Sequence, residues 1–112
     1  MNESDRVVAA LAALAQPHRL AAFRALVEAG PDGMAAGAIA TRLDLAPSSL
    51  SFHLAQLERA GLVRALRAGR SIIYSADFAA MNGLVGYLTE NCCGGSSCVP
   101  AIPTITLERS AA

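Results

Sequence analysis

Residues 45–63 read LAPSSLSFHLAQLERAGLV, and their spacing decides the architecture. Pro47 suits the first turn of a helix, where its missing N–H leaves no bond unmade, and Gly61 suits the position just past the end. Between them, Leu50, Leu54 and Leu57 lie within about 60° of one another at ~100° per residue, which makes a single apolar stripe. The opposite side carries Ser48, Phe52, Ala55, Gln56 and Arg59. A helix of this kind is held by a core at its back and presents a polar front, with a phenylalanine in it, to something outside.

The flanking segments give that helix its setting. Before it, MAAGAIATRLD (34–44) reads as a short helix reached by a PDG turn at 31–33. After it, LVRAL and SIIYSA surround RAGR (67–70), two short runs about a glycine-containing turn, and so predict a β-hairpin. Further out, PHRLAAFRALVEAG (17–30) predicts a helix with Pro17 first, Gly30 just beyond its end, and Leu20, Phe23 and Val27 on its apolar face. ESDRVVAALAALAQ predicts a first helix capped by Ser4, with Val7, Leu11 and Leu14 as its stripe. DFAAMNGLVGYLTEN predicts a last helix opened by Asp77 and striped by Phe78, Met81, Val85 and Leu88, with Asn91 ending it in a left-handed conformation. The order helix, turn, helix, hairpin is that of a winged helix–turn–helix. The predicted class is α+β, mainly α, with five helices and a two-stranded wing. Residues 1–91 form the domain and 92–112 a cysteine cluster with an extended, proline-containing tail.

The chain of 112 residues is 54% hydrophobic, enough for one domain with a core. No apolar run approaches the ~18 residues that span a bilayer. The start, MNESDRVV, is polar and acidic, unlike a signal peptide. These features predict a cytoplasmic protein without a membrane partner. Net charge is zero, but residues 42–70 hold five arginines against Asp44 and Glu58, while the remainder is acidic. A basic middle is a localised footprint for nucleic acid. Ser48, Ser49, Ser51 and Gln56 suit base edges and phosphates, and Phe52 suits a thymine methyl or a sugar. Arg67 and Arg70 bracket the hairpin tip, where they suit phosphates or the minor groove. Plainer readings stand beside these: solvated arginines at the tip, and Phe52 buried by a partner helix. His53, about 70° off the leucine stripe, reads as a packing residue. His18 has no second ligand near it in sequence and reads the same way.

QPHRLAAFRAL, IATRLDLAPSSLSFHLAQLERAGLV and RAGRSIIYSA together resemble the ArsR/SmtB family of metal-responsive winged-helix repressors. Ser51, His53, Leu54, Leu57, Gly61 and Leu62 fall at that family's spacing. The resemblance implies a homodimer built on the first and last helices, binding to an inverted-repeat operator, and release when an inducer binds. The chain also departs from the family. Many arsenic-sensing relatives carry a CVC motif where this chain has Ala35 and Gly37. Zinc-sensing relatives carry Asp and His ligands along the last helix, where this chain has Asp77 and no histidine, so Asp77 reads as a helix cap and no zinc is expected.

Residues 90–98, ENCCGGSSC, hold every thiol of the chain: Cys92, Cys93 and Cys98. In a reducing compartment such a cluster points to ligands or redox groups. Three thiolates without a fourth ligand suit a pyramidal trivalent ion, As(III) or by the same chemistry Sb(III), whereas a closed zinc site takes four. Gly94 and Gly95 let Cys98 fold back onto the vicinal pair. Some members of the family bind arsenite through a C-terminal cluster that this tail resembles. The expected function is therefore an arsenite-responsive repressor. A redox-sensing repressor that uses the vicinal cysteines is the rival. A small thiol reductase is a weaker alternative, because the nearest charge is Glu90 and the cluster follows a helix C-terminus, neither of which activates a thiol. Idle surface thiols are the plainest alternative, although exposed free cysteine is normally a liability.

Overall fold

The computed structural model describes residues 2–95. Five helices, α1 (Glu3–Leu14), α2 (Pro17–Ala29), α3 (Ala36–Leu43), α4 (Pro47–Arg59) and α5 (Phe78–Thr89), surround a sheet of β1 (Met34–Ala35), β2 (Val63–Ala68) and β3 (Ser71–Ala76). The predicted architecture is present, with one strand more than expected. Met34 and Ala35, read from sequence as the start of α3, pair antiparallel with Tyr74 and Ile73, so the sheet order is β1-β3-β2. Gly33 makes that pairing possible. Its φ is +72°, and a Cβ there would lie 2.1 Å from the Tyr74 carbonyl oxygen.

The core is aliphatic. Leu26, Ile39, Leu50, Leu54, Leu57 and Leu62 are its largest fully buried side chains. The leucine stripe of α4 thus faces inward as its spacing predicts. Both helices of the helix–turn–helix end in the same way. Leu62 N–H reaches back to the Leu57 carbonyl, and Leu45 N–H to the Ala40 carbonyl. This six-to-one closure needs a left-handed residue just before the last donor. Gly61 (φ +81°) supplies it after α4, and Asp44 (φ +56°) takes the glycine's part after α3.

The starts of the helices divide into two groups. Asn2, Gln16 and Asp77 each accept a hydrogen bond from a first-turn amide of α1, α2 and α5. The residues that precede α3 and α4 are Ala35 and Ala46, and neither offers a side-chain cap. The cap of α1 is therefore Asn2 rather than Ser4. Asp77 caps Ala80 N–H at 2.9 Å, as its reading requires.

The outer helices correct the predicted stripes. In α1 the buried residues are Ala10 and Ala13, while Leu11 is exposed. In α2 they are Ala22, Phe23, Ala25 and Leu26, and Leu20 points outward. In α5 no residue is fully buried, and Val85 and Leu88 are 54% and 58% exposed. The stripes of α1 and α5 are real as sequence patterns, but the core of this chain covers them only in part: Leu14, Phe78 and Met81 pack against it, while Leu11, Val85 and Leu88 stay outside. Among the described residues no helix is long and apolar enough to cross a membrane.

Candidate DNA interface and thiol pair

The buried stripe of α4 fixes what its other side presents. Ser48, Ser49 and Ser51 are exposed, Phe52 is 58% exposed and Gln56 is half-buried. Phe52 sits edge-on to His53, with ring centroids 5.6 Å apart. Its ring therefore rests against its neighbour and not in the core. An exposed phenylalanine among three serines gives the front face of α4 one apolar contact in a polar field.

The hairpin brings its arginines to the same region. Arg67 lies opposite Ile72 in the β2–β3 register, and cross-strand partners share one face of the sheet. Ile72 in turn lines a cleft of about 110 Å³ with Pro47, Leu50, Ser51 and Tyr74. The face that carries Arg67 thus abuts the first turns of α4. Arg70 follows Gly69 (φ +64°) in the two-residue turn at the tip. Tyr74 is buried, which raises its phenol above the ordinary value of 10.0, with Glu58 adding to the effect, so it remains a neutral donor.

The charge footprint is narrower than the sequence suggests. Arg42 is paired with Glu28 across α3 and α2. Arg64 lies 3.7 Å from Asp77. Of the five arginines in 42–70, Arg59, Arg67 and Arg70 make no ion pair with a described residue, which leaves the end of α4 and the wing tip as the open basic positions of that segment.

One grouping was invisible in the sequence. His18, at the start of α2, and His53 bring their rings to 5.5 Å between centroids. Arg19 beside them donates from Nε to the Ala13 carbonyl at 2.7 Å and lies with Nη1 3.4 Å from His53 Nδ1. A separation of 35 residues hides such a contact from any local pattern. The packing role read for His53 agrees with this. So does the same role read for His18, although nothing in the sequence shows that the two rings pack on each other.

At the other end of the chain α5 stops at Thr89, whose hydroxyl donates to the Val85 carbonyl at 2.8 Å. Asn91 takes φ +59°, left-handed as expected but one residue beyond the cap at Glu90. A single tight turn follows over Cys92–Gly95, with Cys93 at φ +57°. It sets the Cys92 and Cys93 sulfurs 3.6 Å apart on an exposed surface. That is far longer than a disulfide bond of about 2.05 Å. Cys98 and the rest of the predicted tail to residue 112 lie outside the described residues. Within 2–95 no group of three His, Cys, Asp or Glu side chains converges.

A family model described as a helix-turn-helix domain matches residues 14–64. The chain is 36% identical over 91 residues to nodulation protein NolR of Rhizobium meliloti, covering 80% of this chain and 72% of that protein. An ArsR-like transcriptional regulator from Rhodococcus sp. RHA1 superposes with a TM-score of 0.71 at 27% identity, covering 91% of this chain and 93% of that one. A homodimeric winged helix-turn-helix DNA-binding domain from Mycobacterium bovis superposes with a TM-score of 0.62 at 28% identity, covering 82% and 85%.

Proposed function

Since the chain belongs to the ArsR family of winged-helix DNA-binding transcription regulators, we propose that it is an arsenite-responsive repressor, bound to its operator as a homodimer and released when As(III) is held by Cys92, Cys93 and Cys98. The observation that carries the reading is the vicinal pair of sulfurs 3.6 Å apart, exposed directly after α5. With metal–sulfur bonds of about 2.3 Å, the length of a zinc–thiolate bond, sulfurs at that separation subtend about 100° at a shared ion. The angle suits a pyramidal centre better than a flat one. Arsenite enters as As(OH)₃. Three thiols replace its three hydroxides, three waters leave, and no electron moves. The same exchange accommodates antimonite. A redox sensor needs an oxidant instead, so a response to arsenite under reductant separates the two. Arsenite titration should raise thiolate-to-arsenic ultraviolet absorbance to a plateau at one ion per chain. No such band, with operator release only on adding peroxide, would favour the redox reading.

The exposed stripes of α1 and α5 support the dimer. Val8, Leu11, Val85 and Leu88 are large apolar residues left in solvent by the chain alone, an arrangement that marks an interaction face. Gly83 and Gly86 have open space around them, which allows close approach of another helix. Between α1 and α5 runs a groove of about 470 Å³ whose wall includes Arg59, Ala60 and Gly61 from the end of α4. A partner seated on this face therefore also touches the end of the recognition helix. Two such helices must stay about 34 Å apart to enter successive major grooves. A shift at the end of α5, where the ion binds, is passed to that spacing. For a tenfold loss of affinity the ion need favour the released state by only about 1.4 kcal/mol.

The DNA contacts are assigned to Ser48, Ser49, Ser51, Phe52 and Gln56 on α4, with Arg67 and Arg70 on the wing. Arg67→Ala and Arg70→Ala should each weaken binding to every sequence and lower the slope of log affinity against log salt by about one. Gln56→Ala should leave that slope alone and relax preference at one base pair by ~1–3 kcal/mol. Anisotropy titrations at four salt concentrations distinguish these outcomes. Arginine variants with an unchanged slope would remove the wing from the interface.

A further inference from the structure

We propose that His53 is a positioning residue for the recognition helix: as a neutral acceptor for Arg19 it ties α4 to the α1–α2 corner, and protonation undoes the tie and weakens DNA binding. This rests on the family-level assignment of α4 to DNA and not on the arsenite reading.

A guanidinium has five N–H donors and no acceptor. The 3.4 Å approach of Arg19 Nη1 to His53 Nδ1 is therefore a hydrogen bond only when Nδ1 carries no proton. That fixes the neutral tautomer with its hydrogen on Nε2. The other end of the tie is well held. Arg19 Nε donates to the carbonyl of Ala13 in the last turn of α1, and Arg19 N–H donates to the Gln16 side chain that caps α2. One guanidinium thus joins α1, α2 and α4. Its anchor on α4 lies between Phe52 on the DNA-facing side and the buried Leu54.

Protonation reverses each term. The imidazolium loses its acceptor nitrogen and faces a guanidinium instead. Among the described residues the groups acting on the ring are Arg19 and His18, both from α2, with no carboxylate. α1 contributes only the Ala13 carbonyl, through Arg19, and α4 contributes the edge of Phe52. Partial burial, then Arg19, then His18 hold the imidazole below its ordinary 6.5. A lowered value in the folded state means that the unfolded chain takes up the proton first as pH falls. The tie is whole above pH 6.5 and is lost as pH falls through the lower folded value. The expected sign is diagnostic. A histidine that merely touched phosphate would tighten DNA binding on protonation, whereas this one loosens it.

The chain has two histidines, so His18→Gln leaves His53 as the one imidazole. The probe is a fluorescein-labelled duplex selected from a random pool with the unaltered protein at about pH 7.5. At fixed ionic strength, the affinity of His18→Gln should fall about fivefold between roughly pH 7.5 and 5.5. In His18→Gln/His53→Gln, the amide oxygen accepts from Arg19 and does not titrate, so affinity should stay within about twofold over that range. Nitrogen-15 spectra of the imidazole need no second substitution. They should show Nδ1 bare at neutral pH, and Arg19→Gln should move the His53 titration upward. Affinity that rises on acidification, an equal fall in both variants, or a proton on Nδ1 would each overturn the proposal. Because arsenite is absent throughout, none of these results bears on the thiol site.

Discussion

In the presence of arsenite and a reductant, Cys92→Ser, Cys93→Ser and Cys98→Ser are each expected to stay on operator DNA that the unaltered protein leaves. Each substitution removes one of the three sulfurs available to the ion, since the chain has no fourth cysteine. A hydroxyl is a hard, poor substitute at a soft centre. The loss should exceed tenfold in the arsenite concentration needed for release. Apo DNA binding should be unchanged, because the tight turn over Cys92–Gly95 lies outside the helix–turn–helix. A monomethylated arsenical has room for two sulfurs and offers a finer test. It should still act on some of these variants, Cys98→Ser first among them, in which the pair 3.6 Å apart is intact. Fluorescence anisotropy with both arsenicals on all three variants gives the answer. If Cys98→Ser responds to arsenite as the unaltered protein does, the third thiol has no part in the site and a two-sulfur or redox switch replaces it.

Gly33→Ala should be the most damaging conservative change in the DNA-binding unit. The left-handed backbone alone costs an alanine about 1 kcal/mol. The new Cβ would also meet the Tyr74 carbonyl oxygen at 2.1 Å and its carbon at 2.9 Å. Those atoms are main chain, fixed by pairing on both sides of β3, and cannot swing aside as a side-chain tip would. Relief requires β1 to part from β3. A loss of about 3 kcal/mol, or a fall in Tm of roughly 10–20 °C, follows for a domain of this size. Gly37→Ala is the matched control. Gly37 lies inside α3 with open space where the methyl would go, so it should gain about 0.5–1 kcal/mol. Thermal unfolding of both variants by circular dichroism suffices. A Gly33→Ala protein that melts within about 2 °C of the original would mean that β1 is not seated as described.

How much of this was legible in advance follows from how local each cause is. α4 could be read outright, because Leu50, Leu54 and Leu57 report one face and Pro47 and Gly61 mark both ends within 15 residues. The hairpin was equally local. β1 was missed because two residues, a methionine and an alanine, carry no strand preference, and their pairing is dictated by Tyr74 some 40 positions away. The outer helices were legible only in part. Their stripes stand out in the sequence, but α1 packs inward through Ala10, Ala13 and Leu14 and α5 through Phe78, Met81 and Leu84, while Leu11, Val85 and Leu88 stay outside. Period alone cannot separate a face buried within a chain from one reserved for another. The basic footprint was overcounted for a related reason: Glu28 and Asp77, which engage Arg42 and Arg64, lie outside the window in which the charge was counted. For the thiols, sequence gave the cluster and its place after α5, and the structure adds the spacing of the first two sulfurs.

The alanines that precede α3 and α4 have a consequence for how this protein can change over generations. The three scaffold helices carry polar caps and the two helices of the DNA-binding motif do not. Replacing Ala46 with serine or aspartate would supply the missing acceptor, a gain typically near 1 kcal/mol. Yet the first-turn amides of α4 are also where a phosphate oxygen is best received. A side chain at 46 would occupy those donors, and a carboxylate would add its own repulsion for the backbone of the duplex. Selection for heat resistance alone would therefore install a cap and erode the grip on DNA. Selection for DNA binding keeps alanine there and accepts a softer helix end. On that reading the partner missing from the first turn of α4 is a phosphate of the duplex.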